Sequence, residues 1–412
     1  MLTRLRLAVF RVANTVEEEL KLLPTLERSL VPLLSASSFL YSCILSVRRN
    51  FYQWGILKQV RLSLPVISVG NISWGGNGKT PMVEFIAQKF LACGTPPLIL
   101  TRGYRGGDEV RLLESHFQGT RAKIGVGSDR VKAARGILCE YGVRDMNISE
   151  LLSSYRSVDR SIELMEHNDS IGIVLMDDGM QHWKVCRDID IVMVNAVSLF
   201  GNGRLLPRGP LREPLEALSR ADIAVIHHAN LVSELELIEL RRRLHSLLPG
   251  SARIFTSAMI PQSLNQIRRK NYNYPGKVRN GQLYTYSVPL TTLQDSSVLC
   301  VSGIGCPGSL AGSLRQLGVR HIHRMDYPDH HIFDIRDIMA VKKKLTELET
   351  KLKDTPVIIS TEKDHARCPD FFGSFEDYNV YILCSVLEIM DDSNAGMADF
   401  IALIAMKLER RK

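Results

Sequence analysis

The sequence has no Cys-x-x-Cys pair, no internal repeat and no low-complexity tract. Its eight cysteines, Cys43, Cys93, Cys139, Cys186, Cys300, Cys306, Cys368 and Cys384, stand apart from one another. That scatter argues against a thiolate metal site and for reduced thiols in a reducing compartment. Aromatic residues are only 7% of the chain, and no basic stretch interleaves with them. Helix-turn-helix and zinc spacings are also lacking, so nucleic acid is not the expected partner. The net charge of +8 then says only that anions are attracted. Charged residues at 23% and hydrophobic residues at 45% are ordinary globular values, and 412 residues allow two domains with a large core.

The first sixteen residues, Met1 to Val16, lack acidic residues altogether. Arg4, Arg6 and Arg11 alternate there with Leu2, Leu5, Leu7, Val9 and Phe10. This is the character of a mitochondrial transit peptide, which sets residues 1–24 aside as a targeting segment; a plain basic helix is the alternative. Ser29 to Val47 lacks charge of either sign, which by length permits a membrane span. Pro32 and several serines dilute it, and Phe51, Tyr52, Trp54 and Lys58 follow, so residues 25–60 read as an interfacial helix region lying on a bilayer. A buried core helix has the same pattern.

What is present begins at Pro65. Val66 to Gly70 is a buried strand, Asn71 to Thr80 a glycine-rich turn, and Pro81 to Phe90 an amphipathic helix. That order is the layout of a phosphate-binding loop. Gly75, Gly76, Asn77 and Gly78 would bring backbone amides onto phosphate oxygens at the positive end of the helix. Lys79 would reach the β- and γ-phosphates, and the Thr80 hydroxyl would ligand Mg²⁺. The usual first glycine of the pattern is Ser73 here. An ordinary glycine turn before a helix is the competing reading.

Strands and helices alternate from there on. The fold predicted is α/β: a P-loop NTPase-like core, an α/β/α sandwich, over residues 61–190. A second α/β domain spans 191–412, its last helix packing back on the core, and the N-terminal helix is membrane-associated. The apolar run Ser170 to Met176 ends in Asp177-Asp178-Gly179-Met180-Gln181-His182, where the acids that complete a magnesium site belong; Asp-Gly is also turn chemistry. Asp108, in a glycine-rich loop after the strand Pro97 to Leu100, is the candidate base for an alcohol acceptor, and His330 in Tyr-Pro-Asp-His-His the candidate to orient it. Arg102, Arg204, Arg208 and Arg212, in two glycine/proline loops, suit phosphate oxygens or are solvated loop charges. His227-His228 has no third ligand at metal spacing and reads as structural.

Taken together these segments resemble the tetraacyldisaccharide 4′-kinase (lipid A 4′-kinase) family. The resemblance lies in Val69 to Pro81, Thr101-Arg102-Gly103-Tyr104, Gly107-Asp108-Glu109, Asp177 to His182, Arg187-Asp188, Gly203 to Pro207, Gly209 to Pro214, Asp329-His330 and Thr361-Glu362-Lys363-Asp364. It implies ATP-dependent phosphorylation of the 4′-hydroxyl of a tetraacylated glucosamine disaccharide 1-phosphate, giving lipid IVA. It implies ATP and Mg²⁺ as cofactors, Asp108 as base with His330, Asp177 and Asp178 as metal acids, and Glu213 as a further site acid. Arg102, Gln181, His182 and Arg212 are the expected supporting residues. The implied partners are the acylated disaccharide and a membrane surface, with no nucleic acid and no obligate protein. The acid-free N-terminus resembles an organellar copy, as in plant mitochondria, and implies a mitochondrial, peripheral location. Two other readings are a P-loop kinase for a different organellar glycolipid or sugar, and a nucleotide-dependent binding protein without an acceptor.

Overall fold

The structure is a computed structural model and describes residues 2–103, 107–146, 151–152, 169–269, 283–392 and 395–410. Two compact units divide the chain. The first holds residues 1–102, 119–258 and 389–412; the second holds 103–118 and 259–388. This differs from the division at residue 190 read from the sequence. Residues 103–118, with Asp108, belong to the second unit although first-unit strands flank them in sequence.

The first unit is built on a parallel sheet. Its strands are β1 (Val66–Gly70), β2 (Pro97–Thr101), β3 (Lys123–Val126), β4 (Ile173–Asp177), β5 (Ile189–Asn195), β6 (Ile223–His227) and the start of β7 (Arg253–Arg269). The order is β7-β6-β5-β1-β4-β2-β3. β1, β2 and β4 are buried throughout, which is why they read as unbroken apolar runs. Val131 and Ala134 of the helix Arg130–Tyr141 cover Val66, Leu98, Leu100, Val174 and Met176. Met82, Val83, Ile86 and Phe90 of the helix Lys79–Ala92 are at most 2% exposed. Burying each such side chain contributes about 1.5–3 kcal/mol. The helix Met397–Glu409 sets Phe400 edge-on to Phe255 and beside Phe85.

At the N-terminus, the helix Leu2–Asn14 is followed by a long helix, Thr25–Gln53. The long helix is apolar enough, by length and composition, to cross a membrane. One face is tied down along its length. Ser38 Oγ donates to the Leu205 carbonyl, Tyr41 OH to that of Arg212, and Arg48 to that of Gln181. Leu33, Phe39, Leu40, Ile44 and Val47 are half exposed or more on the remainder.

The second unit has strands β9 (Ser297–Ser302), β10 (His321–Asp326), β11 (Val357–Thr361) and β12 (Val380–Ile389), ordered β10-β9-β11-β12-β7, with β8 (Leu283–Val288) antiparallel to β7. Leu299, Val301, Ile358 and Ile382 pack there with Phe371, Phe372, Val341 and Leu345. The helix Ile335–Leu352 begins at a capping box of Asp334 and Asp337. The short helix Asp108–His116 packs on the helix Glu362–Arg367. Across the chain all eight cysteines are free thiols.

Candidate active site

The phosphate loop leaves β1 and turns into the helix Lys79–Ala92 at Gly78, whose φ of +75° is left-handed. Only glycine fits there. A Cβ would also lie 2.5 Å from the His227 ring. His227 is buried, bonded through Nδ1 to Ser257 Oγ at 3.0 Å, and burial pushes its pKa well below the ordinary value. It therefore stands as a neutral wall behind the loop, and the pair His227-His228 is structural. No side chain caps the helix, so its first amides remain open to an anion.

The acids at the end of β4 meet this loop. Thr80 Oγ1 donates to Asp177 Oδ2 at 2.8 Å. Lys79 Nζ lies 3.6 Å from Asp178 Oδ1, and Arg212 Nη1 donates to both Asp178 oxygens at 2.7 and 2.9 Å. Buried Arg130 donates to the Asp178 carbonyl. Burial alone would raise the Asp178 carboxyl, but Lys79, Arg212 and Arg130 hold it at about 2. Arg130 was not anticipated from the sequence.

The other expected supporting residues occupy different places. Gln181 Nε2 donates to the Asn71 carbonyl at 2.8 Å and to Glu213 Oε1 at 3.0 Å. Glu213 is buried, with Arg220 at 2.8 Å on its second oxygen, so it serves as the fixed end of that chain. His182 is brought to about 4, first by burial and then by the charge of Arg130, and is neutral at physiological pH. Arg102 is exposed just past β2, and its charge helps to lower Arg130. Arg208 departs from the expectation of a phosphate ligand. It is 2% exposed and spends its guanidinium on the Val12 carbonyl and Glu17. Tyr104, Arg105 and Gly106 of the resembling motif lie outside the described residues.

The second unit assembles the other half of the expected chemistry. Asp108 starts its helix behind Gly107 and is fully buried. Its Oδ2 accepts from His330 Nδ1 at 3.0 Å and from Arg367 Nε and Nη2 at 3.0 and 2.7 Å. Its Oδ1 is buried without a hydrogen-bond partner among the described residues. Burial alone would raise this carboxyl; the bonds from His330 and Arg367 more than offset it and hold it well below the usual range. His330 is held in a left-handed conformation, φ +60°, its amide donating to the Gly303 carbonyl. Arg367 also bonds Asp364 at 2.9 Å and the carbonyls of Gly303 and His331. Beside this cluster, burial alone would lower the Lys363 ammonium, but Asp329, Glu109 and Asp108 raise it. Arg367, like Arg130, is a residue that the sequence reading missed. Its signal was faint: an arginine three residues after Asp364 on a short helix.

Mg²⁺ and a polyphosphate fit the first-unit cluster on the chemistry of its donors. Thr80, Asp177 and Asp178 are hard oxygens, as Mg²⁺ requires, and Lys79, Arg130 and Arg212 leave a positive surplus for phosphate. Among the described residues no group of three or more His, Cys, Asp and Glu could hold a metal ion. An ion held by two or three oxygens and completed by phosphate and water suits that sparseness.

Residues 30–403 match the family described as LpxK, tetraacyldisaccharide-1-P 4'-kinase. The chain is 43% identical over 369 residues to an Arabidopsis thaliana protein named "Probable tetraacyldisaccharide 4'-kinase, mitochondrial", covering 89% of this chain and 88% of that one. It is 31% identical over 339 residues to the tetraacyldisaccharide 4'-kinase of Aeromonas hydrophila, covering 82% and 84%. The crystal structure of LpxK from Aquifex aeolicus, described as an "apo" form in complex with ATP, superposes with a TM-score of 0.55 at 23% identity, covering 92% of this chain and 98% of that chain. The fold is thus that of a P-loop kinase, and the chain belongs to the tetraacyldisaccharide-1-P 4'-kinase family.

Proposed function

We propose that this protein transfers the γ-phosphate of ATP to the 4′-hydroxyl of a tetraacyldisaccharide 1-phosphate, giving lipid IVA. The observation that carries the proposal is the convergence of Lys79, Thr80, Asp177 and Asp178 at the end of the phosphate loop. The activity named for its relatives supports the acceptor.

In this reading Thr80, Asp177 and Asp178 would hold Mg²⁺, and Gly75, Gly76, Asn77, Gly78 and Lys79 would hold the phosphates. The ion, when bound, neutralises charge that develops on the phosphate oxygens. Asp108 accepts the proton of the sugar hydroxyl at Oδ1 while the oxygen bonds to the γ-phosphorus and the bond to ADP breaks. A carboxylate held so far below its usual range is a weak base, which suits a loose transition state in which proton transfer is late. His330 and Arg367 keep Oδ2 engaged, leaving Oδ1 for the hydroxyl. Arg212 holds Asp178 in place, and Gln181, with Glu213, fixes the turn after the acids.

The acceptor's acyl chains remain in a bilayer, so the exposed face of Thr25–Gln53 lies on the membrane surface, with the opposite face bonded to the first unit. A mitochondrial location is supported by the name of the Arabidopsis relative. A binding protein without an acceptor would have no use for Asp108 Oδ1, unpartnered among the described residues, and this favours the kinase.

The test is transfer of radiolabelled γ-phosphate to the tetraacyl disaccharide in detergent micelles. Label enters the lipid with the parent protein and is lost with Lys79→Ala. With Asp108→Asn, ATP binding persists while transfer falls by about 10²- to 10⁴-fold. ATP hydrolysis without labelled lipid would point to the non-kinase reading.

A further inference from the structure

We propose that the N-terminal helix Leu2–Asn14 is a positioning element of the nucleotide site, acting on the phosphate loop through Phe10 and Trp74. The inference rests on the reading of that loop as nucleotide-binding. The segment precedes the family match, which begins at residue 30.

The helix is held as part of the first unit. Ala8, Val12 and Ala13 are almost completely buried, the small alanines allowing close approach. The last carbonyls of any helix lack partners inside it, and here those of Val12 and Ala13 are supplied from the loop Gly201–Pro214. Buried Arg208 donates to the Val12 carbonyl at 3.1 Å, a cation at the negative end of the helix. Asn202 Nδ2 donates to the carbonyls of Ala13 and Thr15 at 3.0 and 3.3 Å. Removal of residues 1–24 would leave a buried guanidinium without that carbonyl and without Glu17.

The loop that grips the helix also grips the phosphate loop. The Trp74 amide donates to the Pro210 carbonyl at 2.9 Å, the Arg212 amide to the Ile72 carbonyl at 2.6 Å, and Ser73 bridges Leu211. Phe10 completes the clamp. Its ring stacks on Trp74 with centroids 5.9 Å apart and planes at 25°. Trp74 immediately precedes Gly75, whose φ is +104°, at the point where the loop has most backbone freedom to lose. A stacked ring there narrows the conformations of Ser73 to Gly75 before nucleotide arrives.

The experiment uses the full chain with Trp54→Phe and Trp183→Phe, which leaves Trp74 as the single tryptophan. Phe10 is 53% exposed, so its replacement does not threaten folding. Phe10→Ala should shift the Trp74 emission to the red and weaken Mg-ATP binding by calorimetry about two- to tenfold, the span expected for one aromatic pair. The KM for ATP should rise in step, kcat at saturating ATP should hold, and Phe10→Tyr should restore both emission and affinity. Unchanged emission and affinity in Phe10→Ala, with the parent binding ATP, overturn the positioning role alone. A parent protein that does not bind Mg-ATP overturns the nucleotide reading and this inference with it.

Discussion

Replacing Arg367 with methionine removes the cation bonded to two fully buried carboxylates, Asp108 and Asp364. Methionine fills much of the same volume, so the change is mainly electrostatic. Breaking one partner out of a buried ion pair costs about 3–5 kcal/mol, and two carboxylates are affected here. Each keeps other donors: Asp364 has the Gly303 amide and the Thr361 hydroxyl, and Asp108 has His330. The expected loss is therefore about 3–5 kcal/mol in total, not twice that. Arg367→Lys supplies charge without the two-nitrogen fork and should recover less than half.

The pH dependence has a definite sign. Asp108 in the parent is held well below the ordinary carboxylate range, so its contribution is complete above that range and is lost as pH falls through the folded value. In Arg367→Met its pKa rises, and burial already raises that of Asp364. Protonation then relieves the variant at a higher pH than the parent, and the stability gap narrows on acidification. Urea unfolding at pH 7.5 and pH 4.5, with hydrogen exchange read over the helix Asp108–His116, measures this. A loss below about 1 kcal/mol at pH 7.5, or a gap independent of pH, would refute the bridging role given to Arg367.

Three further outcomes follow from the geometry. Gly78→Ala places a side chain at φ +75° and a Cβ 2.5 Å from His227; the backbone term alone is about 1–2 kcal/mol, so calorimetry should show weaker ATP binding, only partly recovered by adding His227→Ala. Thr80→Val removes the hydroxyl bonded to Asp177 and should weaken Mg-ATP by about 10- to 150-fold, the range for a hydrogen bond to a charged group, while ATP without Mg²⁺ is affected little. His228 is lowered to about 4 by burial, so between pH 6.5 and pH 4 the unfolded chain binds a proton that the folded chain refuses. His228→Asn, which tolerates the left-handed φ of +62°, should flatten the acid loss of stability in denaturant titrations by about 3 kcal/mol at the lower end of that window.

The first unit was legible where burial on both faces of a parallel sheet leaves apolar runs, as in Val66–Gly70 and Ile173–Asp177, and where glycine spacing marks the loop. The helix Ile335–Leu352 carries its own signal in the sequence, a basic helical stretch behind Asp334. Strand β7 was not legible, because its polar Gln266 is buried against Asn379 and hides the strand pattern. Strand β10 was missed because His321, His323 and Arg324 break any apolar alternation. The unit boundaries escaped because residues 103–118, with the helix Asp108–His116, belong to a unit whose remaining residues begin only at 259. The bond from Arg367 to Asp108 spans 259 residues, and no local pattern announces a contact of that kind. The same holds for Arg208, which a glycine/proline loop presents as an exposed cation and the fold turns inward.

The most direct test of the kinase account is the position of the new phosphate. Purified protein, Mg-ATP and tetraacyldisaccharide 1-phosphate should yield a bisphosphorylated lipid whose second phosphate maps to the 4′-oxygen by mass spectrometry and phosphorus NMR. The product should disappear with Lys79→Ala and nearly so with Asp108→Asn. A parent protein that turns over ATP at the same rate with and without the disaccharide, and leaves the lipid unmodified, would contradict the account.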